Sequence, residues 1–258
     1  GSVGKRSLEQ RCHLCYSAGR SCSVIGLAAM SQLYGEIYDL LQAPVARFDC
    51  GQKCAPLNGG TPVCCSADNA IPVMAREEYR MLRGRSELWR PYRARTAAGR
   101  KVVKELHSSC IATECKGAAF CERDNRSLCC RAFPFFPYIT RGDAFVGLGY
   151  YWSYEDRCWV ISNLKQVDRQ FVAQFVAAFE RLFAEKADER KLFRDYSAGM
   201  RRVFSRRQQF ILLIGRDCAP LKVLPYSGRV VSASVDSFPA HGPYRAERRE
   251  ARRQAAAG

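Results

Sequence analysis

With 258 residues, 47% of them hydrophobic, and a formal net charge of +16, the chain can bury a core and present a basic surface to a polyanion. No run approaches the ~20 apolar residues of a membrane span, and Ser23–Met30 (SVIGLAAM) lacks the cleavage site of a secretory signal, so a reducing, cytoplasmic setting is expected. Fourteen cysteines, about 5% of the chain, exceed ordinary usage but fall short of a small disulfide scaffold.

In chain order, residues 1–29 read as a leader, disordered or not native, with Met30 as a natural start. Its Cys12, Cys15 and Cys22, with His13, are the alternative: a separate zinc site. From Ser31 a helix is expected, with Leu33, Ile37, Leu40 and Leu41 at helical spacing and Pro44 as its stop. A Pro- and Gly-rich loop then carries the first cysteine cluster, CGQKCAPLNGGTPVCC, with Cys50, Cys54, Cys64 and Cys65. Val73–Leu88 reads as a helix with an acidic first turn, and Arg90–Lys104 as helix or loop. The second cluster runs from Cys110 to Cys130 and adds Cys110, Cys115, Cys121, Cys129 and Cys130, followed by the aromatic block FPFFPY at Phe133–Tyr138.

Downstream, Phe145–Tyr151 and Cys158–Ile161 are rich in β-formers, and Ser153–Asp156 between them offers a turn, which suggests a hairpin. Gln166–Lys186 is the clearest helix, with Val167, Phe171, Phe175, Val176, Phe179, Leu182 and Phe183 on one face. A second helix is expected over Glu189–Arg206, then strands at Phe210–Ile214 and Gly228–Val235. The fold class that follows is α+β: an irregular cysteine-rich domain over residues 30–165, a helical and β extension packed on it over 166–240, and a basic tail at 241–258.

The gathering of nine cysteines into two tight clusters, with adjacent pairs at Cys64-Cys65 and Cys129-Cys130, points to metal, because disulfide frameworks scatter their cysteines between elements. Thiolates are soft ligands suited to zinc or to iron–sulfur clusters. Adjacent cysteines do not readily form a relaxed disulfide with each other, but they can ligate one metal together or two separately. The expected ligands are Cys50, Cys54, Cys64, Cys65, Cys121 and Cys130, then Cys110, Cys115 and Cys158, with His107 as an alternative to a thiolate. Disulfides, or cysteines acting only as small buried hydrophobes, are the competing readings.

The segment RSLCCRAFPFFP at residues 126–137 resembles the RPLxCRxFPF signature of the YkgJ-type cysteine-cluster proteins, the zinc- or iron-chelating CxxCxxCC kind. On that resemblance Cys130 is the cysteine before the arginine, Cys121 matches the preceding one, and Cys110 or Cys115 the one before that. Phe48-Asp-Cys50 through Cys64-Cys65 resembles the family's opening FxCxxCGxCC in a stretched form; Ser127 replaces the signature's proline and Cys129 is an added thiol. The likeness spans residues 48–160 and implies metal binding, and related domains accompany lysine methylation of flagellin.

Two alternatives stand beside a metal-binding protein. One is a metal-dependent or iron–sulfur enzyme of redox or methyl-transfer type, in which Asp143, Tyr150, Tyr151, Tyr154, Glu155 and Asp156 would serve a reactive pocket, with no roles assigned. The other is a basic nucleic-acid-binding protein with structural zinc, where Phe135 and Phe136 would form a stacking platform between Arg131 and Arg141. The bland reading of the aromatic block is packing that shields the metal, and that of His241 is a loop residue. The sequence has no P-loop, dinucleotide fingerprint, HExxH or Gly-x-Ser-x-Gly.

Overall fold

A computed structural model of the protein describes residues 11–12, 24–66 and 68–240, with side chains from residue 31 onward. The expectations for Cys15, Cys22, His13, His241 and the basic tail lie outside the described residues. Within the 1–29 segment, Arg11–Cys12 forms a short strand, β1, and the first helix, α1, begins at Val24 and ends at Leu40. Leu33, Ile37 and Leu41 are buried as the spacing requires, with Tyr34 and Tyr38 beside them, while Leu40 faces outward.

The fold is α+β, built on two sheets. The smaller has the order β1-β2-β4-β3, from Ile71–Ala75 (β2), Trp89–Pro91 (β3) and Cys110–Cys115 (β4), with β1 parallel to β2 and the rest antiparallel. Gly51–Cys54 is a one-turn helix, α2, in the first cysteine loop. The expected helix at Val73–Leu88 is corrected at its start. Val73–Ala75 pair with Cys110–Ala112 in the ladder, and the helix, α3, covers only Arg76–Arg85. The β-branched pair Ile71 and Val73 favours the strand, and Glu77 and Glu78 fall in the helix's first turn. Ala97–Lys104 forms α4, capped by the Thr96 hydroxyl, which accepts from Gly99 N.

The larger sheet is an antiparallel β5-β6-β7-β8-β9 meander of Phe135–Ile139, Phe145–Tyr150, Ile211–Gly215, Pro220–Val223 and Val230–Ser232. It takes two strands from before residue 165 and three from after it. The expected hairpin is corrected here. The partner of Phe145–Tyr150 is the aromatic block, not Cys158–Ile161. All five residues of β5 are buried, so it reads as a continuous apolar run rather than an alternating one. Residues 158–161 instead satisfy their backbone in turns, Cys158 N donating to Tyr154 O at 2.8 Å and Asn163 N to Val160 O at 2.9 Å.

Packing against this sheet are α6, Arg169–Glu185, and α7, Ala187–Arg206. Phe171, Phe175, Phe179 and Phe183 stack along α6 at four-residue spacing, with neighbouring rings 4.4–6.0 Å apart. Phe193 of α7 closes edge-on against Phe179 at 5.5 Å. From α7, Ser197 Oγ accepts from Ile139 N, and Arg201 donates to the Tyr138 hydroxyl and to Ile139 O. Gly149 stands opposite Phe136 in the ladder; a Cβ there would lie 2.9 Å from the Phe136 ring, so the ring occupies the space a side chain would fill. Gln174 of α6 accepts from Gln42 N and Ala43 N, tying the exit of α1 to this half.

Candidate functional site

The first cysteine loop is a chain of tight turns. Asp49 Oδ1 accepts from Gly51 N at 2.9 Å and starts α2, so Cys50 and Cys54 stand one helical turn apart on the same side. A Cβ on Gly51 would come within 2.9 Å of Pro62, which shows how closely the two limbs of the loop approach. Gly59 and Gly60 reverse the chain with positive φ, a conformation glycine adopts without a Cβ penalty. A short 3₁₀ turn, Val63–Cys65, then presents Cys64 and Cys65 with their sulfurs 3.9 Å apart.

The second cluster is arranged differently. Cys115 ends β4, and Trp89, its partner across the ladder, donates from Nε1 to Asn125 O at 2.7 Å. That bond holds the 121–126 loop against the strand. Arg126 Nε lies 3.0 Å from Cys121 Sγ. Ser127 caps a five-residue helix, α5 (Leu128–Ala132), accepting from Cys130 N, and so orients Cys130.

The two clusters meet. Cys115 and Cys130 each feel the charge of Cys65, Cys64 feels Cys50 and Cys158, and the Arg126 guanidinium reaches Cys50, Cys65, Cys121 and Cys130 electrostatically. Burial pushes the thiols of Cys50 and Cys158 up to about 12. Burial also raises Cys54 and Cys115, whereas Cys130 is raised first by its hydrogen bond to Cys129 and then by burial. The shared hydrogen bond splits the vicinal pair: it raises Cys64 and, with help from Arg126 against burial, lowers Cys65 to about 7. The arrangement is a store of thiols whose charged forms repel one another. A cation that replaces their protons relieves that repulsion.

One cysteine of the second cluster turns away. Cys110 and Cys115 are five residues apart on one strand, an odd spacing that sends them to opposite faces. Cys110 therefore lies among Glu189 and Lys186, its thiol pushed up to about 12 by burial, and is not brought to the other thiols. His107 is there too, its Nδ1 2.8 Å from Ser109 Oγ. Cys129 is buried with its sulfur 3.1 Å from Ser127 Oγ. The eleven cysteines whose side chains are described are all free, so no disulfide joins any two of them.

Phe135 and Phe136 are 1% and 0% exposed, which removes the stacking platform expected for nucleic acid; they are core. Phe133, at the start of the block, packs edge-on against Tyr154 at 5.1 Å and stacks on Tyr151 at 6.0 Å. Among the residues expected of a reactive pocket, Asp143 pairs with Arg190 and Arg194, Tyr150 donates to Glu155, Glu155 pairs with Arg207, and Asp156 pairs with Arg157. Tyr150, Tyr151 and Tyr154 are buried, and Tyr154 to Asp156 belong to the turn before Cys158, while Asp143 stands apart in the β5–β6 connection.

Trp89 and Glu78 carried no signal in the sequence, and Arg126 entered only as the first residue of the family-like segment. Glu78 is fully buried on α3, and its Oε1 accepts from the Tyr38 hydroxyl and from Leu128 N, both at 2.6 Å. It joins α1, α3 and the cysteine-bearing α5. Burial raises its pKa above the ordinary carboxylate value, against those two donors and the charges of Arg131 and Lys186. An acidic residue in a helix's first turn signals only the dipole in sequence, so nothing marked Glu78 as a tie.

Among the described residues, no three His, Cys, Asp or Glu side chains surround a single point closely enough to hold a metal ion as they stand. No described helix is long and apolar enough to cross a membrane. No protein-family model, curated protein or solved structure matches the chain.

Proposed function

We propose that the protein is a thiolate metal-binding protein of the YkgJ-like cysteine-cluster kind, holding zinc or iron, with an iron–sulfur cluster among the forms the iron would take. The observation that carries this reading is a chain of pairwise electrostatic interactions linking Cys50, Cys54, Cys64, Cys65, Cys115, Cys121, Cys130 and Cys158, all of them free thiols, with the Cys64 and Cys65 sulfurs 3.9 Å apart. A donor set of sulfur alone fits a soft or borderline cation and not magnesium or calcium. Free thiols in this number belong to a reducing compartment, for which the cytoplasm is the natural choice. The RSLCCRAFPFFP segment supports the family likeness: its Arg126 faces the thiols and its Cys130 is one of them.

The chemistry also supplies the driving force. Structural zinc contributes roughly 10–16 kcal/mol in small zinc-binding peptides, comparable to or larger than the ~5–15 kcal/mol net stability of a whole domain. Metal would therefore decide the order of a region otherwise made of single helical turns. The test is elemental analysis and an ultraviolet–visible spectrum on one anaerobically purified sample. At least one equivalent of zinc or iron per chain is expected, iron–sulfur giving absorbance near 400 nm and zinc none. Metal below about half an equivalent, with the thiols intact, would overturn the reading.

A further inference from the structure

We propose that Cys64 and Cys65 form a two-thiol site for trivalent arsenic carrying one organic group. The inference does not rest on the metal-binding reading. It needs only this pair of sulfurs, and a chain that takes up neither zinc nor iron would still have it.

The two sulfurs stand 3.9 Å apart, and both residues are partly exposed, so a small reagent can reach them. Two sulfurs bonded to one atom at about 2.3 Å in tetrahedral geometry lie about 3.8 Å apart. The pair is thus already at the spacing of two ligands on a shared atom, without a change of rotamer. The class of that atom follows from its surroundings. A tetrahedral cation needs two donors more, and among the described residues no three His, Cys, Asp or Glu side chains surround one point as they stand. Arsenic(III) with one valence filled by an aryl or alkyl carbon needs two sulfurs and no third donor. It is also a soft centre, matched to thiolate.

The backbone holds the pair in place. Cys65 N donates to Pro62 O at 2.9 Å, closing the 3₁₀ turn, and Pro62 abuts Gly51 on the facing limb of the loop. Just downstream, Asn69 N and Ala70 N donate to Ser66 O at 3.0 and 2.9 Å. Asn69 Nδ2 donates to Asn58 Oδ1 at 3.1 Å, and Asn69 O accepts from the Tyr154 hydroxyl at 2.7 Å. Thiols on a turn tied from both sides give up little freedom on binding. One atom inserted between the sulfurs also enlarges the ring that a direct Cys64–Cys65 disulfide would strain.

The remaining thiols do not offer the same site. In the other adjacent pair, Cys129 is 2% exposed, with its sulfur 3.1 Å from Ser127 Oγ. Cys121 is exposed, but the group against its sulfur is Arg126 Nε at 3.0 Å. A single thiol gives a singly bonded adduct that a monothiol exchanges away. The pair reacts with an arsenoxide by forming two As–S bonds. The As=O bond is lost, and its oxygen leaves with both thiol protons as water. Arsenic stays trivalent and sulfur is not oxidised, so no oxidant or reductant takes part.

The test treats the full-length, reduced protein with phenylarsine oxide, in the presence of a metal chelator and an excess of a monothiol, and reads intact mass and cysteine peptides by mass spectrometry. The wild type should retain one phenylarsenic group per chain, mapped to Cys64 and Cys65, and release it to a small dithiol. Cys64→Ser and Cys65→Ser should each retain none, and Cys110→Ser and Cys121→Ser should keep it. A wild type that retains no group overturns the proposal. So does a group mapped to other sulfurs, or one retained by both Cys64→Ser and Cys65→Ser. The wild-type mapping decides the matter even where a serine variant fails to fold.

Discussion

The protein joins two regions that are ordered by different means. Around α6, α7 and the larger sheet, order comes from rings: four phenylalanines on one helix, Phe193 across from them, and Phe135 and Phe136 on the strand beneath. Around the cysteines the rings come in pairs, Phe48 with Trp159 and Phe133 with Tyr154, beside the buried Trp89 and Leu128. The loops hold single turns, a few hydrogen bonds and Glu78, which spans α1, α3 and α5. Long helices can fold on buried area alone, whereas on the proposed reading the short turns that carry the thiols would gain further order from metal.

Four experiments press on that contrast. Phe179→Ala removes a ring that touches three others and should cost about 3–5 kcal/mol in chemical denaturation, with or without metal. A metal-dependent cost would break the separation between the regions. Glu78→Ala leaves the Tyr38 hydroxyl and Leu128 N–H without their acceptor and should cost about 1–3 kcal/mol or more. Glu78→Gln keeps an acceptor and carries a pH signature. Because burial raises the Glu78 pKa in the native state, the folded protein holds that proton more tightly than the unfolded chain does. Stability therefore falls as pH rises from the ordinary carboxylate value through the raised one, and then levels off. Urea midpoints measured against pH should show this slope in the wild type and lose it in Glu78→Gln; parallel curves would refute the role.

Smaller effects sharpen the same comparison. Zinc at a hundredfold excess over its dissociation constant should stabilise the protein by about 2.7 kcal/mol. Hydrogen exchange should show the new protection at residues 48–66 and 115–131 and not in α6 or α7; uniform protection would mean that the regions respond as one. In metal-free, reduced protein, Cys65 should alkylate with a midpoint near its pKa of about 7, thiolate forming above that pH, while Cys50 and Cys158, at about 12, stay unreactive. Peptide mapping that finds Cys50 modified first would contradict the split.

How legible each region was follows from the same physics. The helix at Arg169–Glu185 announces itself because phenylalanine at four-residue spacing has no other economical explanation, whereas α1 was legible only from Ser31 and begins earlier, at Val24, inside the segment read as a leader. FPFFPY hid as a strand because prolines and an unbroken apolar run obscure the two-residue period of a half-buried strand. Val73–Ala75 looked helical because the acidic turn beginning at Glu77 lies just behind it. In the site, the clustering and the meeting of Cys65 with Cys130 follow from cysteine spacing and the family-like segment. The departure of Cys110 from the group does not, since it depends on Cys110 and Cys115 sharing one strand, and nothing in CIATEC declares a strand before its partners β2 and β3 are known.

The central claim is that sulfur from both clusters holds metal. X-ray absorption at the metal edge of zinc-loaded, full-length protein tests it most directly. A shell of four sulfurs at about 2.3 Å, with no nitrogen or oxygen, is expected. A shell of nitrogen and oxygen, or of fewer than three sulfurs, would contradict it.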